Sequence, residues 1–305
     1  MNIRQGAIRL FRFAGIDLFL HWSWFLVAAF EIQSRSGQYS SLGWNALEYL
    51  ALFLVVMVHE FGHALACRQV GGTSNQIVLW PLGGIAYVNP PPRPGATLWS
   101  IAAGPLVNVA LLPILWGAVM LSRSVGWSES FPNAHAFLHT VWVINLGLLI
   151  FNMLPIYPLD GGQILRSLLW FVLGRGPSLM AATIIGFVGV AGLIALAVMA
   201  KSTWFGILSV FILMNCWSGL KQGLALSRRA KLPHREGFAC PSCRTAPLLG
   251  PYWICGQCKT PFDTFQTQAA CPSCATRYPV TKCLECGGAS PMNSWMSPAL
   301  APPPL

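Results

Sequence analysis

Apolar residues in this chain fall into long blocks, with few of the polar interruptions that mark the wet face of a soluble helix or strand. The blocks cover residues 16–32, 44–70, 96–121, 136–154, 178–200 and 203–223. At about 1.5 Å per residue, each can cross the roughly 30 Å of a bilayer's hydrocarbon core. The pattern predicts an all-α polytopic membrane protein of six transmembrane helices with both termini on one side. One interval departs from it. Between the second and third blocks, Ile77-Val78-Leu79-Trp80 and Ile85-Ala86-Tyr87-Val88 flank Pro81-Leu82-Gly83-Gly84. Two short β-prone runs around such a turn predict a β-hairpin or re-entrant element whose edge can serve a substrate, with Gly83 and Gly84 as candidate contacts. Pro90, Pro91, Pro92 and Pro94 then make an extended link into the third block.

Composition agrees with the membrane reading: of 305 residues 54% are apolar and 9% charged, with mean hydropathy +0.56, which excludes an ordinary soluble globule. A net charge of +10 raises nucleic acid as a partner. Most of the Lys and Arg, however, flank apolar blocks. With the N-terminus inside, the inward segments hold twelve (Arg4, Arg9, Arg12, Arg68, Arg93, Arg166, Arg175, Lys221, Arg228, Arg229, Lys231 and Arg235) and the outward loops three (Arg35, Arg123 and Lys201). That bias predicts cytoplasmic termini and a home in the cell (inner) membrane. The first block, led by three arginines, resembles a secretory leader, but no small-x-small cleavage pattern follows and it reads as a retained span.

The character of the chain changes after residue 224. Residues 225–239 are a basic linker suited to anionic headgroups. Residues 240–287 hold eight of the ten cysteines as four C-x-x-C pairs, and residues 288–305 form a Pro-rich tail expected to be disordered. Cys240/Cys243, Cys255/Cys258, Cys271/Cys274 and Cys283/Cys286 predict two closed four-cysteine zinc ribbons, hence two structural zinc ions, in a reducing compartment. Spacing leaves open which pairs share an ion. Arg244, Lys259, Arg277 and Lys282 against Asp263 and Glu285 form no basic patch, which favours a cytoplasmic protein partner over nucleic acid.

The second block contains His59-Glu60-Phe61-Gly62-His63. Two histidines four apart on a helix can reach one metal ion, and the intervening Glu60 can take a proton from a water on that ion, which is hydrolytic chemistry. Ionisable side chains in a bilayer-length helix need such a compensation. A catalytic zinc wants a third ligand from elsewhere. Asp160, following the fourth block, comes to the same inner half of the membrane as His59; its competing use is as a helix N-cap. His21 reads as an interfacial residue, His135 and His139 lie at the wrong depth, and Cys67 reads as packing.

Three ordered motifs resemble the site-2 protease family of intramembrane zinc metalloproteases: His59-Glu60-x-x-His63, Gly104-Pro105-Leu106-Val107-Asn108, and Asn152-x-x-Pro155-x-x-x-x-Asp160-Gly161. Weaker strings, Leu82-Gly83-Gly84 and His21-Trp22, agree. The likeness covers residues 16–223. It implies that His59, His63 and Asp160 bind a catalytic zinc, that Glu60 is the general base, and that Asn108 and Asn152 hold substrate backbone or the oxyanion. The substrate would be a single-span membrane protein cut in or near its transmembrane segment, after local unwinding frees the peptide bond. Two other readings compete: an idle scaffold recruiting partners through its ribbons, and a metal or proton transporter.

Overall fold

The computed structural model describes residues 6–34, 37, 39–80 and 83–295. Arg4, Arg35, Pro81, Leu82 and the tail beyond residue 295, which figured in the expectations above, lie outside that set. The chain divides into two units, residues 1–224 and 225–305.

The first apolar block does not fold as a spanning helix. β1 (Ala7–Phe13) and β2 (Ile16–His21) pair antiparallel, and only α1 (Ser23–Ser34), 12 residues long, is helical. Ala14 and Gly15 take φ of +48° and +74°, the left-handed two-residue turn whose twist suits paired strands. Asp17, costly inside a lipid-facing helix, meets Arg9 of β1 at 2.7 Å and Arg12 at 3.8 Å. Helix α1 runs beside the start of α2 (Leu42–Gln69), where the Tyr49 hydroxyl donates to the Trp24 carbonyl and the Asn45 amide to that of Ile32.

β3 (Thr73–Trp80) and β4 (Gly83–Asn89) form the expected hairpin, but as part of a four-stranded sheet in the order β1-β2-β3-β4, with β2 and β3 parallel. β4 is therefore an edge. Alternate residues of the central strands, Ile16, Leu18, Leu20, Ile77 and Leu79, pack on Val56, Phe61 and Ala64 of α2. Burying these apolar side chains fixes the sheet against the helix that carries the histidines.

The other elements of this unit are α3 (Pro94–Ser124), α4 (Trp127–Ser130), α5 (Pro132–Asn152), α6 (Asp160–Leu173), α7 (Arg175–Met199) and α8 (Thr203–Ala230). Pro105 and Pro113 sit within α3 without ending it. Among the described residues, five helices are long and apolar enough to cross a membrane: α2, α3, α5, α7 and α8. Six uniform spans are thus corrected to five plus a strand and a short helix, and the all-α expectation gains a sheet. Between α5 and α6, Ile156 lies in a core of Val190, Leu193, Leu208, Ile212 and Cys216. Gly189 of α7 admits Ile156, while Gly219 of α8 admits the Tyr157 ring, where an added Cβ would lie 2.8 Å from it. The Cys216 thiol donates to the Tyr157 carbonyl at 2.9 Å.

In the C-terminal unit, α8 occupies the first residues of the segment expected as a linker, ending at Ala230. Two two-stranded sheets follow, β5 (Trp253–Ile254) with β6 (Pro261–Phe262) and β7 (Thr281–Lys282) with β8 (Ala289–Ser290). Trp253, Phe262, Phe265 and Trp295 form the core together with cysteines. Trp295 is 1% exposed, so the expected disorder of residues 288–295 is corrected: a large indole is buried there.

Candidate metal centre

Helix α2 places His59 and His63 one turn apart, with their Nε2 atoms 3.1 Å from each other. Asp160 Oδ2 stands 3.1 Å from His59 Nε2 and 3.4 Å from His63 Nε2. Each ring is oriented from behind. His59 Nδ1 donates to Asn108 Oδ1 at 2.5 Å, and His63 Nδ1 donates to the Ser100 carbonyl at 2.9 Å. With both Nδ1 atoms protonated, the two Nε2 lone pairs face the carboxylate. Three acceptors in mutual contact and largely buried repel unless a cation lies among them. Their separations are those of ligands around a tetrahedral zinc bound at about 2.0–2.2 Å. The residues therefore fit the ion that the sequence implies.

Close approach of α2 and α3 depends on two glycines. A Cβ on Gly62 would lie 2.8 Å from the Ala103 carbonyl, and one on Gly104 would lie 2.8 Å from His59 Nε2, filling the space where the donors converge. Asp160 is delivered by the Met153–Leu159 loop, and a Cβ on Gly162 would meet the backbone of Ile156 at 2.5 Å. The N-cap use of Asp160 is not realised: Leu159 occupies the cap position of α6, without a side-chain capping bond, and Asp160 turns to the histidines.

Glu60 points to the sheet. Its Oε2 accepts the Ala86 amide of β4 at 2.8 Å, and its carboxylate occupies the space that a Cβ on Gly84 would fill. Gly84 thus makes room for Glu60, and Gly83 pairs with Trp80 at the start of the strand. Asn108 does not face a substrate. It is 0% exposed, with Oδ1 on His59 and Nδ2 donating to Asn145 Oδ1 at 2.8 Å. The expected backbone or oxyanion contact is corrected to a hold on His59. Asn152, half-buried at the end of α5, has no hydrogen-bond partner among the described residues and stays available.

Sequence reasoning missed Asn145, which also donates to the Asn108 carbonyl at 3.0 Å. A lone asparagine in an apolar block was the available signal. The Ser100 carbonyl left none, being main chain. Cys67 is buried and donates toward the Thr73 carbonyl, in keeping with packing. His135 pairs with Ser122 at 2.7 Å, and His21 stacks on Trp80.

Two four-thiol clusters lie in the C-terminal unit, Cys240/Cys243/Cys283/Cys286 and Cys255/Cys258/Cys271/Cys274. The outer pairs share one cluster and the inner pairs the other, so the question left open by spacing resolves as nesting. All four pairs adopt one fold. The amides of Cys240, Cys255, Cys271 and Cys283 donate to Thr245, Thr260, Thr276 and Gly288, and the residue after each second cysteine takes positive φ. Arg244, Lys259, Ala275 and Gly287 fill that left-handed position. The Tyr278 hydroxyl donates to Cys255 Sγ at 3.0 Å and pulls that thiol down to about 5.

Residues 48–135 and 128–196 match peptidase family M50. A zinc metalloprotease of Methanocaldococcus jannaschii is 35% identical over 163 residues, 53% of this chain and 45% of that protein. Stage IV sporulation protein FB of Bacillus subtilis is 36% identical over 121 residues, 38% of each chain. This chain spans less than half the length of these two relatives. The solved structure of a site-2 protease from Methanocaldococcus jannaschii superposes with TM-score 0.53 at 26% identity, covering 70% of this chain and 95% of that one. The chain belongs to peptidase family M50, the site-2 protease family of zinc metalloproteases.

Proposed function

We propose that the protein is an intramembrane zinc metalloendopeptidase that cuts a membrane-anchored, single-span substrate in or near its transmembrane segment. The observation that carries the reading is the meeting of His59, His63 and Asp160 donor atoms beside Glu60, at the open edge of β4. His59, His63 and Asp160 would hold the ion. When bound, zinc supplies Lewis acidity and lowers the pKa of a water toward about 7.

The chain's residues supply the rest. Glu60 takes the proton of the attacking water and returns it to the leaving amine nitrogen. The unpaired edge of β4 receives an unwound substrate strand, satisfying amides and carbonyls that have no water to bind in lipid. Asn152 has its amide free for the substrate carbonyl. Asn108, Asn145 and the Ser100 carbonyl fix the two rings.

The membrane topology follows from the same placement. With α2 running inward, Arg68, Arg93, Arg166, Arg175, Lys221, Arg228, Arg229, Lys231 and Arg235 lie inside, and Arg123 and Lys201 outside. β1 shares a sheet with β3, which follows the inner end of α2, so the N-terminal strands are cytoplasmic as well. β2 and α1 then make the sixth traverse in broken form, in the cell (inner) membrane. In the C-terminal unit the two four-thiol clusters are closed, hold structural zinc and present a surface to a cytoplasmic protein.

The deciding experiment is zinc stoichiometry of the full chain with cleavage of a single-span reporter. Three zinc ions are expected per wild-type chain, two for Asp160→Ala, and three for Glu60→Gln with cleavage lost. A Glu60→Gln chain that still cleaves sinks the base assignment; an Asp160→Ala chain that keeps three zinc ions sinks the ligand set.

A further inference from the structure

Helices α6 and α7 are joined by one residue, Gly174, with φ of +82°. The turn brings two arginines to one indole: the Arg166 guanidinium carbon lies 6.0 Å from the Trp170 ring centroid and that of Arg175 5.8 Å. The ring's negative face attracts both cations. The two cations are close enough to repel. Arg166 has no ion pair with a carboxylate among the described residues, and its Nε is buried without an acceptor. Gly174 offers no side-chain cap to the first amides of α7, so the positive end of a 25-residue helix adds to the same field. On the preceding turn, Phe171, Val172 and Leu173 are 60%, 84% and 47% exposed.

We infer that Arg166 and Arg175 hold the phosphodiester of an anionic phospholipid, with Trp170 at headgroup level and Phe171, Val172 and Leu173 against an acyl chain. Guanidinium forks match phosphate oxygens in pairs, and an indole between apolar and wet surroundings is at home at the membrane interface. The apolar side chains beside the cations select a lipid over free phosphate, which has nothing to place against them. The site depends on the membrane setting of the chain and not on peptidase activity.

The test uses the full chain in phosphatidylcholine nanodiscs with and without phosphatidylglycerol, followed by native mass spectrometry of retained lipid. Wild type is expected to retain phosphatidylglycerol selectively. The Arg166→Ala/Arg175→Ala chain should retain it on the order of tenfold or more weakly. Arg166→Lys/Arg175→Lys should keep most of the retention, and Arg123→Ala/Lys201→Ala all of it. Zinc content reports folding throughout, and if the double alanine chain does not fold, Arg166→Gln alone is judged by the same loss. Equal retention by the neutralised and wild-type chains overturns the site. Displacement of the lipid by inorganic phosphate overturns it as a lipid site.

Discussion

His59 and Asp160 stand 101 residues apart in the chain and meet at 3.1 Å, whereas each cysteine of the C-terminal unit has its first partner three positions away. The membrane centre needs α2, α3, the loop after α5 and the head of α6 to be packed before its donors converge. The thiol clusters are made of small self-contained turns that need only be brought together. The first arrangement gathers three donors and leaves a side open, as catalysis by a metal requires; the second gathers four and closes. Packing errors should therefore damage one centre and spare the other.

The largest separation is expected from Gly104→Ala. Its methyl would crowd His59 Nε2, so metal analysis should show the membrane ion lost, both C-terminal ions kept, and a stability cost of about 1–3 kcal/mol. Loss of all three ions together would break the comparison. Next comes Asn108→Leu, which strips the His59 Nδ1–H of its acceptor. Zinc affinity at the membrane centre should fall about 10–100-fold by competition with a chelator, again with the thiol clusters untouched.

A smaller effect runs the other way. Cys258→Ser removes one thiolate from the cluster in which Cys258 is exposed. One zinc ion should weaken or leave, while the membrane ion and the Glu60-dependent cleavage persist. Smallest is Tyr278→Phe. The Tyr278 hydroxyl holds the Cys255 thiol down to about 5, so that group contributes stability at neutral pH that is lost as pH falls through about 5. Without the hydroxyl the thiol rises and protons compete earlier. Acid-driven zinc release should begin at higher pH, followed with a zinc dye. An unchanged midpoint would show that the backbone amides alone set this thiolate.

What was legible in the sequence divides along the same line. Spacings of four and three residues carry local geometry, so His59 with His63 and each C-x-x-C pair could be read directly. Asp160 was reachable because few other acids lie at the right depth. The hairpin of β1 and β2 was not, because an apolar run like that over residues 16–32 reads equally as span or as buried strand until Arg9 and Arg12 are seen to answer Asp17. Asn108 was found but misassigned: its target is an imidazole on another helix, fixed by packing that no spacing encodes. The nesting of the cysteine pairs and the burial of Trp295 are likewise properties of chain closure.

Nesting has a consequence for how the C-terminal unit assembles. Bringing Cys243 to Cys283 through a slack chain costs more loop entropy than bringing Cys258 to Cys271, and once the inner thiols are joined the intervening chain is already short-circuited. The unit should thus knot itself from the middle outward, with Trp295 sealing it last, so a chain truncated before Cys283 could still capture a single ion while one cut before Cys271 could complete neither cluster.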